Sequence, residues 1–188
     1  MPIEISSRHR VASFTTLDGS TIRELAGPAW TAARLVFVRD ARWLHNEMRA
    51  VCRFGGEGEA HFDDLGVSLY RLEPGKPMSM YHHEAGQEDF LILRGEAILL
   101  VEGEERPLGT WDFFHCPSRT PHTIVAAGEE PALVLAVGAR KERGSVRYPA
   151  EPVAIRRGAG VSDETESPQE AYARFGPPRP GPAPPIFD

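Results

Sequence analysis

Residues 81–95, Tyr-His-His-Glu-Ala-Gly-Gln-Glu-Asp-Phe-Leu-Ile-Leu-Arg-Gly, concentrate imidazoles and carboxylates just before an apolar run that stops at a glycine. Such groups feeding a buried strand need partners, because burying them unpaired is costly. Side chains alternate faces along a strand, and that alternation sorts the cluster. Over residues 78–84 the even positions are Met78, Met80, His82 and Glu84, and the odd ones are Ser79, Tyr81 and His83. The even set joins two apolar residues to two metal-ligand types, the pattern of a strand lining a barrel with a metal in its middle. The odd set reads as an outer or edge face. Further on, Glu88 shares a face with Phe90 and Ile92, and His122 opens another strand in alternation with Ile124. Parity favours His82 with Glu84, but a second register, Tyr81 with His83, stays open.

The elements that must position these groups are short strands. Val67, Asp89, Ala97, Trp111, His122 and Ala132 each begin a strand-like run, the first five stopped in turn by Pro74-Gly75, Gly95, Gly103, Pro117 and Gly128. Residues 78–84 form one more. Many short strands at regular spacing predict an antiparallel sandwich or barrel, with residues 132–137 buried on both faces. Upstream, residues 14–23 predict a hairpin around Asp18-Gly19, residues 35–38 form a short apolar run, and Asp40 predicts a capped helix carrying Trp43 and Leu44. Residues from there to Phe54 fit helix or strand. Downstream, residues 151–157 predict a short helix, and Ser167 followed by Pro168 predicts a second, capped one running toward Phe175. Six of the 17 prolines fall between Pro177 and Pro185, which predicts a polyproline-like or disordered tail. The expected organisation is an N-terminal extension over 1–64, a barrel over 65–139, a second extension with short helices over 140–176, and the tail over 177–188.

Bulk properties narrow the function. A length of 188 residues suits one domain with extensions. A formal net charge of −6 leaves no basic footprint for nucleic acid or for a membrane surface. No apolar stretch reaches a membrane span, and the first ten residues lack the apolar core of a secretory signal. Cys52 and Cys116 make neither a disulfide framework nor a Cys-x-x-Cys metal spacing. A cytoplasmic home is expected.

Residues 75–126 resemble the two motifs of the cupin superfamily, single-domain β-barrels of the jelly-roll type. The first motif runs glycine, spacer, His-x-His, three or four residues, Glu, six residues, Gly. His82 and Glu84 fall on the two histidine positions, and Glu88 and Gly95 have the final spacing. The second motif ends Pro-x-Gly-x-x-His, matched by Pro117, Arg119 and His122. Four positions depart from the pattern: Glu84 stands for a histidine, Arg119 and Trp111 for glycines, and Ala126 for an asparagine. The resemblance implies a mainly β fold, a cupin jelly-roll barrel (double-stranded β-helix) with short peripheral helices and a proline-rich C-terminal tail. It also implies a divalent metal on His82, Glu84, Glu88 and His122.

Two imidazoles and two carboxylates form a mixed N/O set that suits Mn, Fe, Ni or Zn. The competing reading leaves Glu84 and Glu88 hydrogen-bonded inside a barrel that binds a small polar ligand directly. Two functions follow: a metal-dependent enzyme of dioxygenase or isomerase type on a small polar molecule, or a non-catalytic cupin that binds or senses a sugar-like ligand. A homodimer is implied by the resemblance, and no nucleic-acid or membrane partner is expected. Of the remaining residues, Trp111, Phe113 and Phe114 read as barrel packing, His115 as a core histidine, Cys116 as inert core and His83 as outward-facing. Gln87 is a candidate contact to the site, and His9, His45 and His61 read as structural or surface groups.

Overall fold

The computed structural model describes residues 10–15, 21–26, 43–54, 64–140 and 146–185. The chain divides into two compact units, Met1–Ala41 with Phe54–Phe62, and Arg42–Arg53 with Asp63–Asp188. In the first, β1 (Arg10–Thr15) and β2 (Thr21–Ala26) pair antiparallel with Phe14 opposite Ile22, the hairpin expected there. Its Asp18-Gly19 turn, the run at 35–38, Asp40, His9 and His61 lie outside the described residues.

The second unit is a barrel of two antiparallel sheets. The larger takes the order β12 (Arg179–Gly181), β3 (Trp43–His45), β4 (Ala50–Phe54), β5 (Leu65–Leu72), β11 (Ala132–Ala139), β6 (Glu88–Arg94), β9 (Phe113–Cys116). The smaller is β10 (His122–Ala127), β7 (Glu96–Val101), β8 (Glu104–Leu108). Period-two alternation sends one face of each sheet inward. Leu72, Phe90, Ile92, Val134 and Ala136 from the larger sheet meet Ala97, Leu99, Ile124 and Ala126 from the smaller in one buried core. The register confirms the layering, since Ala136 lies opposite both Ser68 and Phe90, and Val134 opposite both Tyr70 and Ile92.

Among the described residues the helices are α1 (Pro152–Arg156) and α2 (Pro168–Ala171), both in the C-terminal extension. Glu151 caps the first by accepting from Val153 N, and Ser167 caps the second by accepting from Glu170 N. The second is a single turn, shorter than its pattern predicts.

The structure corrects three expectations and adds one strand. Trp43 and Leu44 are in a strand rather than a helix, because they pair with Cys52 and Val51, and Trp43 is 1% exposed. Residues 78–84 make only isolated bridges, Pro77 to Val125, His82 to His122 and His83 to Arg147. The strand Glu104–Leu108, unmarked by hydropathy, forms because it pairs with β7 across the Glu102-Gly103 turn. The proline-rich tail contributes a strand, with Arg179 opposite His45 and Gly181 opposite Trp43.

The positions where Trp111 and Arg119 stand in for glycine keep glycine's backbone conformation. Their φ values are 75° and 65°, in the left-handed region that costs an ordinary residue about 1–2 kcal/mol. Arg119 N donates to Glu84 O at 2.8 Å, and Trp111 N donates to Ile92 O at 2.7 Å. Those bonds set the turns regardless of side chain. Arg119→Gly is therefore expected to stabilise the protein by about 0.5–1 kcal/mol, once glycine's extra unfolded-state entropy is deducted. A urea unfolding midpoint that fails to rise would show that the arginine side chain contributes an offsetting interaction.

Candidate metal centre

Three of the four proposed ligand residues meet at one end of the barrel. Glu88 begins β6 and His122 begins β10, while His82 arrives on the bridged segment beside His122. The backbones of His82 and His122 exchange two hydrogen bonds, at 3.2 and 2.9 Å, so the two imidazoles project from adjacent positions. Their ring centroids are 5.3 Å apart.

Each ring is oriented by its Nδ1. His82 Nδ1 lies 2.9 Å from Met80 O, and His122 Nδ1 lies 2.8 Å from Thr120 O. A carbonyl oxygen only accepts, so both Nδ1 atoms carry protons and both Nε2 atoms face the site. There Glu88 Oε2 lies 3.6 Å from His82 Nε2 and 3.2 Å from His122 Nε2. Glu88 Oε2 and His122 Nε2 are buried from water, and neither has a hydrogen-bond partner. A carboxylate oxygen and an imidazole lone pair repel, so a cation must reconcile them, either a proton or a metal ion.

The spacing suits a shared ion. Two ligand atoms about 2.1 Å from one metal are about 3.0 Å apart at a right angle and about 3.4 Å apart at a tetrahedral angle. An imidazole whose other nitrogen donates to a backbone carbonyl is also the usual arrangement for a metal ligand. The ligand set is not closed, however: among the described residues no group of three or more His, Cys, Asp or Glu side chains is gathered as a metal cage.

Glu84 stays at the edge of this set. Burial and then the nearby Glu88 charge raise its pKa, against the pull of His82 and His122. It therefore senses all three residues, but its carboxylate is not in the ion-pair cluster.

Without metal the proton takes the cation's part. Burial opposes a charge on His122, but Cys116 and Glu88 outweigh it and push the group up to about 10. Burial likewise opposes the Glu88 charge, yet His122 and His82 hold its carboxyl well below the usual range.

Aromatic rings and one thiol complete the surroundings. Phe90 lies 5.3 Å from the His122 ring, Phe114 6.4 Å from it, and Tyr148 5.9 Å from the His82 ring. Cys116 is buried as expected, but its Sγ is 3.1 Å from His122 Nδ1, making it a neighbour of the site. Tyr148 and Tyr172 come from the C-terminal extension, where no local spacing marked them. Their rings meet edge-on at 5.9 Å, and the Tyr172 hydroxyl accepts from Met80 N.

Several other residues sit differently from their sequence reading. Tyr81 is 2% exposed, packed with Leu100, Val125, Ala154 and Ala159 because α1 covers the face that parity left outside. Met80 packs with Met48, Tyr148 and Ala171 instead of joining Met78 in the central core. Phe113 is 63% exposed, since it projects from the outer side of edge strand β9, and Trp111, in the turn before that strand, is 71% exposed. Only Phe114 of that trio packs on the core. His115 is also on the exposed side, 2.6 Å from Asp89. Gln87 is exposed, and its carbonyl accepts from Ala139 N. His45 is structural, with Nε2 2.9 Å from Pro182 O.

An antiparallel jelly-roll barrel with imidazoles and a carboxylate converging at one end is the architecture of a cupin. Residues 68–138 match the family model for the cupin domain, and the chain carries a cupin domain over that stretch. Similar solved structures include a cupin-superfamily sugar phosphate isomerase from Silicibacter pomeroyi, 28% identical with a TM-score of 0.45, over 54% of this chain and 64% of that one. A DMSP lyase from Ruegeria pomeroyi is 26% identical with a TM-score of 0.45, over 53% of this chain and 51% of that one. The polyketide cyclase of Streptomyces resistomycificus is 16% identical with a TM-score of 0.49, over 60% of this chain and 82% of that one. The chain thus spans less than two thirds of the length of the first two. No curated protein matches it, and among the described residues no helix is long and apolar enough to cross a membrane.

The charge state of His122 is open to direct test. Its pKa lies above the ordinary 6.5, so its contribution to stability is complete below that pH and is lost as pH rises through about 10. In EDTA-treated protein, Glu88→Gln removes the principal anion while burial persists, and the His122 pKa is expected to fall. An NMR titration of the His122 ring reads the change, and an unmoved midpoint would break the proposed pairing.

Proposed function

We propose that this chain is a metal-dependent cupin, in which His82, Glu88 and His122 hold a divalent transition ion, Mn, Fe, Ni or Zn, with Glu84 as a fourth ligand. The observation that carries the reading is the burial of Glu88 Oε2 and His122 Nε2 beside one another without a hydrogen-bond partner. A bound ion would supply Lewis acidity toward an oxygen of the substrate, moderated by two carboxylate ligands. The protein's own part is to orient and to exclude water. Met80 O and Thr120 O fix the imidazole tautomers, and Phe90, Phe114 and Tyr148 wall the site. The reaction class that fits is chemistry on a small polar molecule inside the barrel, of isomerase or dioxygenase type.

Elemental analysis of the purified protein is expected to find a divalent transition metal near one equivalent. His82→Ala, Glu88→Ala and His122→Ala should each lose most of it, and Glu84→Ala should retain a weaker site. Loading should also become more favourable as pH rises, because the ion displaces the His122 proton. Metal content unchanged in all four variants would discard the reading.

A second copy of the chain is the partner this reading includes. On the outer side of the larger sheet, Phe113 lies opposite Leu91, Leu91 opposite Leu135 and Leu135 opposite Leu69. This apolar row ends at the 63%-exposed Phe113 on edge strand β9, the kind of edge that proteins cover. Sedimentation is expected to show a dimer that Phe113→Glu converts to monomer; a monomeric parent would refute the pairing.

A further inference from the structure

Among the described residues, Arg49 is a cation that the barrel keeps without an anion. The segment before β4 carries it inward, where its guanidinium carbon lies 5.3 Å from the Tyr70 ring centroid and 5.8 Å from that of Tyr172. Tyr70 shares its face of β5 with the core residue Leu72 and packs against the central cluster, so the arginine is on the barrel's interior side. Its Nε is buried and has no hydrogen-bond partner. No carboxylate forms an ion pair with it among the described residues.

Its neighbours connect it to the metal centre. Tyr172 meets Tyr148 edge-on, and the Tyr148 ring in turn lies 5.9 Å from the His82 ring. The Tyr148 phenol is within electrostatic range of both Glu84 and Arg49. The arginine and the ligand cluster therefore flank one tyrosine.

Two rings on a guanidinium stabilise the cation through their π faces and leave the planar N–H edge for other partners. That edge matches carboxylate and phosphate geometry, and the fork can bind either with two parallel hydrogen bonds. Charge counting points the same way. Glu84 and Glu88 offset a divalent ion, so Arg49 is left as an uncompensated positive charge beside the site. A neutral substrate would leave its buried Nε unsatisfied, which is unfavourable.

We propose that Arg49 is the substrate-recognition group of this site and that the small molecule taken by the barrel carries an oxyanion, a carboxylate or a phosphate. This rests on the cupin-centre reading above for the position of the reacting end, and on Arg49 itself for the anionic end. Tyr70 and Tyr172 are the positioning residues that hold the guanidinium plane.

Calorimetric titrations with lactate, glycerol 3-phosphate and uncharged glycerol test the proposal, on metal-loaded and EDTA-stripped protein. The parent protein is expected to bind at least one anion ten times or more tightly than glycerol, and the preferred anion distinguishes carboxylate from phosphate. Arg49→Gln should abolish that preference, and Arg49→Lys should keep part of it, with metal content unchanged in both. Anions bound no better than glycerol, or a preference that survives in Arg49→Gln, would overturn the assignment. Should the variants fail to fold, phenylglyoxal labelling of the parent protein decides: the preferred anion should shield Arg49, and equal labelling with and without it counts against the proposal. Because the stripped protein is titrated as well, loss of the anion preference and absence of metal are separate outcomes.

Discussion

Two backbone carbonyls, Met80 O and Thr120 O, hold the site in its working form. Each accepts a hydrogen bond from the Nδ1 of an imidazole two residues along the chain, and each thereby turns Nε2 toward Glu88. Without those contacts the rings could flip and present a donor where an acceptor is needed. The carbonyls are themselves held by sheet geometry, because the backbones of His82 and His122 bond to each other. Ligand direction, tautomer and barrel pairing are thus one constraint, and a shift of either chain by a residue would undo all three.

The same arrangement explains why buried charge is tolerated here. Glu88 is more buried than an isolated carboxylate could be without cost, and its environment is balanced by imidazoles instead of by solvent. Cys116 adds a weak polar neighbour on the far side of His122. Glu84 lacks comparable partners, and burial and then the Glu88 charge raise its pKa. One carboxylate is held between two imidazoles, and the other is not.

Much of this was legible in the residues themselves. Alternation of Glu88 with Phe90 and Ile92, and of His122 with Ile124, marked barrel strands because one face of each lines the central core. His82, Glu88 and His122 stood out because ligand-type side chains are rarely placed at the head of apolar strands without a use. What could not be read came from distant parts of the chain. Tyr81 was assigned outward by parity, but parity says only that two faces differ, and α1 buries the second face as fully as the barrel buries the first. Trp111 and Phe113 were assigned inward by hydrophobicity, which registers neither the turn at Trp111 nor the edge position of β9. Arg49, Tyr148 and Tyr172 reach the site through tertiary packing alone, and no local pattern marks such residues.

The hydrogen bond from Met80 N to the Tyr172 hydroxyl gives the site an order of assembly. His82, Glu88 and His122 are all present once His122 has been synthesised, but the wall behind them, Tyr148 and Tyr172, is not translated until later. On the ribosome, where residues emerge sequentially, the nascent barrel must carry its polar cluster open to water until the C-terminal extension folds back over Met80. An ion or a proton has free access to the cluster in that interval, before the last aromatic rings close over the site.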